Sequence, residues 1–407
     1  MTEAAVREAV AANAYMAFYN GPLTCKTDIP GLEFDFNHGA RVKVPAGDWR
    51  VKLSDRDSFT TLFDAAVSDT MVTSVKKYYV NFRLEIFRDG RLVLDHEFTP
   101  KKRRVLLQYP LRSVLGDNIA AFPYGQAFKY LHDCEVYCAI EPRLAELFKA
   151  TYPDVNFVKP GERPEDIYAT YYMGYFYPAG ERAYQPADWR ILGLQKAAAG
   201  ILGLTPQEIR PAIAPENLER QIAEPYVCIA AQATSQAKYW NNPHGWIKTV
   251  EHLKARGYRV LCIDRERVHG QGRWWNGIPY GAEDFTGDRP LSERVDLLHH
   301  ADFFVGLGSG LSWLAWAVGK PVVMISGFSL PQTEFYTPYR VINHHVCNGC
   351  FTDSGAEFAN DNFAWCPRLE NTDRQFECTR LIAAGQVNAA IDRLMADHGL
   401  RPAKTAV

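Results

Sequence analysis

The sequence predicts an α/β protein, with two successive units of alternating strands and helices behind a β-rich front. Three observations carry this. Residues 303–327 read FFVGLGSGLSWLAWAVGKPVVMISG: apolar strand, glycine-rich turn, buried helix, apolar strand. From residue 105 onward, short apolar runs alternate with helical stretches. Before residue 100 no such rhythm appears, and residues 77–98 read as a hairpin.

In chain order, residues 4–19 suit one short amphipathic helix, followed by the turn-rich segments GPLTCKTDIPG and NHGARVKVPAGDW. YYVNFRLEIF is strongly β-prone, and LVLDHEF answers it across Arg88, Asp89 and Gly90. Residues 1–103 are therefore expected to form a β-rich domain suited to docking or assembly. Residues 105–109 read as a strand, 115–118 as a turn and 119–132 as a helix. A second strand covers 135–140, and a helix with Pro142 at its first position covers 142–151. Residues 155–158 form a third strand, 168–177 are aromatic without a clear period, and 189–202 form a helix. Pro206, Pro211 and Pro215 mark a linker, placing domains at 104–215 and 216–395. The second unit opens with a strand at 226–231, the polar loop QATSQAKYWNN and a helix at 244–256 stopped by Gly257. A strand at 258–264 and a helix at 291–300 lead into the glycine-rich stretch. Irregular loops after the first strand of each unit point to a ligand between the two, beyond the carboxyl ends of strands.

Composition narrows the function. With 407 residues, 47% hydrophobic and 23% charged, the chain can bury real cores. A net charge of -2 offers no basic field for nucleic acid. The uncharged run 303–319 falls short of a spanning helix and is interrupted by glycines, so no transmembrane segment is expected. Residues 1–20 lack a basic stretch followed by an apolar core, so no secretory signal is read there. Nine cysteines without a signal suggest reduced thiols and a cytoplasmic protein.

Three constellations offer chemistry. The turn at Gly306, Gly308 and Gly310 presents the N–H groups of Gly310, Leu311 and Ser312 at a helix start, a seat for an anion such as phosphate, or is an ordinary strand-to-helix turn with no ligand. It is not the dinucleotide pattern G-x-G-x-x-G, because Leu311 takes the sixth position, which disfavours a dehydrogenase. Asp117, between Gly116 and Asn118, offers a carboxylate to take a proton from a hydroxyl, or simply a helix cap. Lys238, with Thr234, Ser235, Trp240 and Asn241 nearby, offers an ammonium for a diphosphate leaving group, or is a solvated lysine. The third constellation is Cys347, Cys350, Cys366 and Cys378, whose first pair has the spacing of a metal knuckle. Four thiolates suit tetrahedral zinc or iron in a closed structural site; free buried thiols are the alternative. Cys25, Cys134, Cys138, Cys228 and Cys262 lie mostly on strand patterns and read as core.

From about residue 60 to 390 the chain resembles the bacterial autotransporter heptosyltransferases, relatives of the lipopolysaccharide heptosyltransferases. LGDNIAAFPY at 115–124, QATSQAKYWNNPHGW at 232–246, FVGLGSGLSWLAWAVGKPVVMISG at 304–327 and the four cysteines carry the resemblance. It implies a GT-B glycosyltransferase fold, two Rossmann-like domains facing a cleft, with the β-rich front as an extra domain. It implies ADP-heptose as donor, serine hydroxyls of an autotransporter adhesin passenger as acceptor, and inversion without a catalytic divalent ion. Asp117 matches the family's catalytic base and Lys238 its phosphate-holding lysine. Ser309, Gly310, Leu311 and Ser312 match the diphosphate turn, and the implied donor site also takes in Leu115, Gly116, Asn118, Thr234, Trp240 and Gly308. Gly308 and Trp313 depart from the lipopolysaccharide enzymes, which carry Asp and His there. The resemblance further implies one structural iron on the four cysteines, with zinc as alternative, and a large homo-oligomer, dodecamer-like. The rival readings are a lipopolysaccharide core heptosyltransferase and a non-catalytic metal-binding scaffold.

Overall fold

The computed structural model describes residues 18–19, 21–111, 114–176, 181–356, 358–359 and 361–400. The helix expected at 4–19 falls almost wholly outside them. Contacts divide the described residues into two compact units. One takes those within Met1–Val114, Ala121–Trp189 and Leu194–Ile209; the other takes Leu115–Ala120, Arg190–Gly193 and those within Arg210–Val407.

The first unit contains the β-rich front. Strands Thr60–Val67, Trp49–Asp55, Phe82–Arg88 and Arg91–Glu97 lie side by side in that order, all antiparallel. Trp49, Val51 and Leu53 are buried, as are Phe82, Leu84 and Ile86, each pair of neighbours separated by an outward residue. This alternation is what one buried face of an antiparallel sheet requires. The hairpin over Asp89 and Gly90 has both residues at positive φ, as a tight hairpin turn demands.

The same unit holds a parallel sheet ordered Asn156–Val158, Glu135–Ala139, Arg104–Gln108, Ile167–Tyr172. Ile167–Tyr172 falls in the aromatic stretch without a clear period, because all six residues are buried and nothing alternates. The helix expected at 119–132 starts earlier and spans Leu115–His132, after Val114 as N-cap. Asp117 therefore lies in the first helical turn and not in a preceding loop. The helix expected at 189–202 is two pieces, Trp189–Leu192 and Leu194–Ile201, broken at Gly193 with φ 85. Any side chain at 193 would strike the backbone of Gln332.

The second unit is built on a six-stranded sheet, parallel throughout. In space its strands run Glu283–Asp284, Arg259–Cys262, Tyr226–Ile229, Phe304–Leu307, Val322–Ile325, Arg340–Val341. Numbered by chain order this is 3-2-1-4-5-6, the doubly wound order of dinucleotide-fold sheets. Every residue of Tyr226–Ile229, Phe304–Leu307 and Val322–Ile325 is buried, as expected of central strands covered by helices on both faces. The chain reverses its direction of winding between Tyr226–Ile229 and Phe304–Leu307. The loops leaving the carboxyl ends of these two strands are the polar loop with Lys238 and the glycine turn.

Candidate active site

The stretch 303–327 is strand, turn, helix and strand, with no helix long and apolar enough to cross a membrane among the described residues. Helix Gly310–Ala317 follows Ser309, whose side chain makes no capping bond. The Ser312 hydroxyl donates to the Leu307 carbonyl, and the Ser312 N–H donates to Ser309 O at 3.1 Å. Ser312 thus closes the turn itself, and of the three N–H groups expected to face an anion, those of Gly310 and Leu311 lack an intrahelical acceptor.

Within this unit the first turns of helix Leu115–His132 pack directly on the glycine turn. A Cβ on Gly310 would lie 2.9 Å from Leu115 Cβ and 3.3 Å from Gly116 N. A Cβ on Gly116 would lie 2.8 Å from the Trp313 ring. Two backbones meet here at a separation that only glycine permits. Asp117 comes next in the same first helical turn, followed by the fully buried Asn118.

Lys238 ends a single 3-10 turn, Gln236–Lys238. Its Nζ lies 3.5 Å from Thr234 Oγ1, 5.2 Å from the centre of the Phe328 ring and 5.4 Å from that of Phe351. Burial pushes the ammonium below its usual pKa, and the negative charges of Asp117 and Glu334 pull it back up. The carboxylate and the ammonium singled out in the sequence therefore share one electrostatic environment. Trp240 does not: it is buried in the core of this sheet, and its indole N–H donates to Ile382 O at 2.9 Å. It supports the loop from behind and offers no stacking face.

The loop is also tied to the cysteine segment. Ser235 O–H and Gln236 N–H both reach Phe363 O, at 3.3 and 2.8 Å, and Asn241 donates to Thr379 Oγ1 at 2.8 Å. All four cysteines are free of disulfides and line one enclosed cavity with Ala237, Phe328 and Trp365. The cavity volume is about 10 Å³, room for a water-sized body and not for an organic ligand. Burial, and then the neighbouring thiols, push Cys350 and Cys378 up to about 12. Among the described residues no three His, Cys, Asp or Glu side chains stand in metal-ligating geometry. The chemistry of the donor set, four thiols around one small cavity, nonetheless suits a single ion held by sulfur.

Sequence reading missed Glu334 and Arg340. Glu334 follows strand Val322–Ile325 and is buried against Arg340, with Nη1 and Oε2 3.0 Å apart. A lone acid in the loop after a core strand was the available signal.

The family model for the glycosyltransferase TibC N-terminal domain matches residues 30–90, and that for glycosyltransferase family 9 (heptosyltransferase) matches 184–358. The autotransporter heptosyltransferase BAHTCr of Citrobacter rodentium is 52% identical over 370 residues, covering 89% of each chain. The chain belongs to the autotransporter heptosyltransferases. The family member TibC of Escherichia coli is 51% identical, again over 89% of each chain. The crystal structure of the iron-containing dodecameric TibC from enterotoxigenic E. coli superposes with TM-score 0.90 at 48% identity, covering 94% of this chain and all of that one. A further TibC structure, in complex with ADP-D-beta-D-heptose, gives 0.89 over 93% of this chain and all of that one. The E. coli lipopolysaccharide heptosyltransferase II, at 15% identity and TM-score 0.50 over 73% of this chain and 99% of that one, shares the fold. The fold is GT-B and the chain is a glycosyltransferase. One family member, BimC of Burkholderia thailandensis, 41% identical over 89% of this chain and 85% of its own, is an inactive autotransporter heptosyltransferase.

Proposed function

We propose that the protein moves heptose from ADP-glycero-manno-heptose to serine hydroxyls of an autotransporter adhesin passenger, in the cytoplasm and with inversion. The reading is supported by the packing of Leu115 and Gly116 on the glycine turn and by the electrostatic pull of Asp117 on Lys238, beside the switch point of the second sheet. Asp117 acts as general base and takes the serine proton as the serine oxygen attacks the anomeric carbon. The bond from that carbon to the β-phosphate oxygen breaks, and its electron pair leaves with ADP. Lys238 and the N–H groups of Gly310 and Leu311 stabilise the charge that develops there. Thr234 orients the ammonium, and Leu115, Gly116, Asn118, Gly308, Ser309 and Ser312 shape the donor seat. Cys347, Cys350, Cys366 and Cys378 would hold one iron, which supplies a structural cross-link beneath the Lys238 loop. Residues 1–103, 104–215 and 216–395 act as front, acceptor-side and donor-side domains, and the front contributes to a large homo-oligomer.

The test is intact-mass analysis of a passenger fragment incubated with purified protein and ADP-heptose. Addition of heptosyl units to serines supports the reading. Transfer to core lipid and not to the passenger would favour the lipopolysaccharide reading, and failure to bind any ADP-sugar would favour a scaffold.

A further inference from the structure

Among the described residues the Lys238 ammonium has one polar contact, the Thr234 hydroxyl at 3.5 Å, and two aromatic ones, the ring centres of Phe328 and Phe351 at 5.2 and 5.4 Å. Both ring distances fall within the range at which an aromatic face attracts a cation. The two rings form one platform. They stack on each other, with centres 4.8 Å and planes 27° apart. Phe358 crosses both at a steep angle, its centre 5.6 Å from that of Phe328 and 5.3 Å from that of Phe351. The backbone follows the same pairing: Gly349 N–H donates to Gly327 O at 2.9 Å, and Phe351 N–H donates to Phe328 O at 3.1 Å. Phe328 comes shortly after the sheet strand Val322–Ile325. Phe351 belongs to the 3-10 turn Cys350–Thr352, which opens on one of the four clustered cysteines.

We propose that Phe328 and Phe351 are positioning residues of the donor site, a cation–π platform that holds the Lys238 ammonium in place for an anionic ligand. A carboxylate in the same place would fix the ammonium by taking its N–H groups, and would repel a diphosphate. A ring face does neither. It attracts the charge through its quadrupole and leaves the three N–H donors of the ammonium to the ligand's oxygens. Placing the ammonium beforehand also lowers the ordering cost of binding. The platform gives the pair Cys347 and Cys350 a reason to lie beside the Lys238 loop, since Phe351 is the residue that follows the second of them.

This inference rests on the phosphate-holding role given to Lys238 above, and the test separates the two. Calorimetry measures the ADP affinity of the full chain as wild type, Lys238→Met, Phe351→Leu, Phe351→Tyr, and Lys238→Met with Phe351→Leu. Melting temperature and metal content are checked for each. Phe351 is half-buried, which makes it the position to substitute. Phe351→Leu stays apolar but loses the ring face, and is expected to bind ADP about fivefold more weakly. Phe351→Tyr keeps the face and is expected to bind as the wild type does. In Lys238→Met the further change Phe351→Leu is expected to cost nothing, because the ring has no cation left to hold. If Phe351→Leu alters folding or metal content, ring-fluorinated phenylalanines at 351 replace it. Fluorine drains charge from the ring face at nearly constant shape, so affinity is expected to fall stepwise with each fluorine. An affinity that fluorination leaves unchanged overturns the proposal. So does a Phe351→Leu loss that persists in full beside Lys238→Met. A wild type that binds no ADP, or a Lys238→Met protein that binds it equally well, overturns the reading above and this inference with it.

Discussion

Lys238 is held in a form its surroundings disfavour. Burial lowers its pKa below 10.5, so the donor-free fold carries an ammonium that the unfolded chain would hold more easily. The sign follows from linkage. Between the lowered folded pKa and 10.5 the unfolded chain binds more protons, so stability rises with pH in that window. Lys238→Met is therefore expected to raise the melting temperature of the donor-free protein near neutral pH. The same change is expected to weaken ADP-heptose binding about 10- to 100-fold, the range of a lost charged hydrogen bond. Differential scanning calorimetry with and without donor reads both effects. A variant that loses stability while keeping donor affinity would remove Lys238 from the site. Asp117 answers to a different measurement. Asp117→Ala is expected to slow transfer at least ~100-fold while the melting curve and donor affinity stay close to wild type. Both residues drew notice in the sequence because their motifs are local, while the roles proposed for them came with the family resemblance. Glu334 did not, since its place depends on Arg340 at the start of the next strand and on Gly308 in the turn after Phe304–Leu307.

At the scale of elements, the contact of helix Leu115–His132 with helix Gly310–Ala317 sets the geometry. Gly310→Val is expected to force Leu115 away and to cost about 1–3 kcal/mol, with donor affinity falling alongside. Urea unfolding and ADP titration of the same sample read the two losses together. The cysteine segment is joined to the Lys238 loop by Phe363, Thr379 and the Phe351 ring next to Cys350. Cys366→Ser is therefore expected to lower the melting temperature first and donor affinity as a consequence. Elemental analysis of the wild type should find about one iron per chain, with zinc in its place contradicting the choice of metal. Sequence periodicity located the hairpin at 77–98 and the central strands and helices of the two α/β units, but it assigned none of the strands between Cys25 and Thr73 and not helix Ala384–Asp397. Two further places are instructive. Ile167–Tyr172 is buried on both faces and leaves no alternation to read. The start of helix Leu115–His132 was hidden because Val114 makes no side-chain cap, so the usual capping signal is missing.

For the whole molecule, the alternation of strands and helices pointed to a parallel sheet in the second unit but not to its order 3-2-1-4-5-6, because the two-residue edge strands Glu283–Asp284 and Arg340–Val341 carry no pattern of their own. The loops expected to carry chemistry then fall at the switch point without further assumption. What the alternation does not encode is which partner the β-rich front meets, because docking surfaces have no period of their own. The measurement that bears most directly on the central claim is the intact mass of a passenger fragment after incubation with ADP-heptose and either wild-type protein or Asp117→Ala. Heptosyl additions with the wild type and none with the variant are expected. Equal additions with both would contradict the role of Asp117, and with it the assignment of the switch-point site as the place where the sugar is transferred.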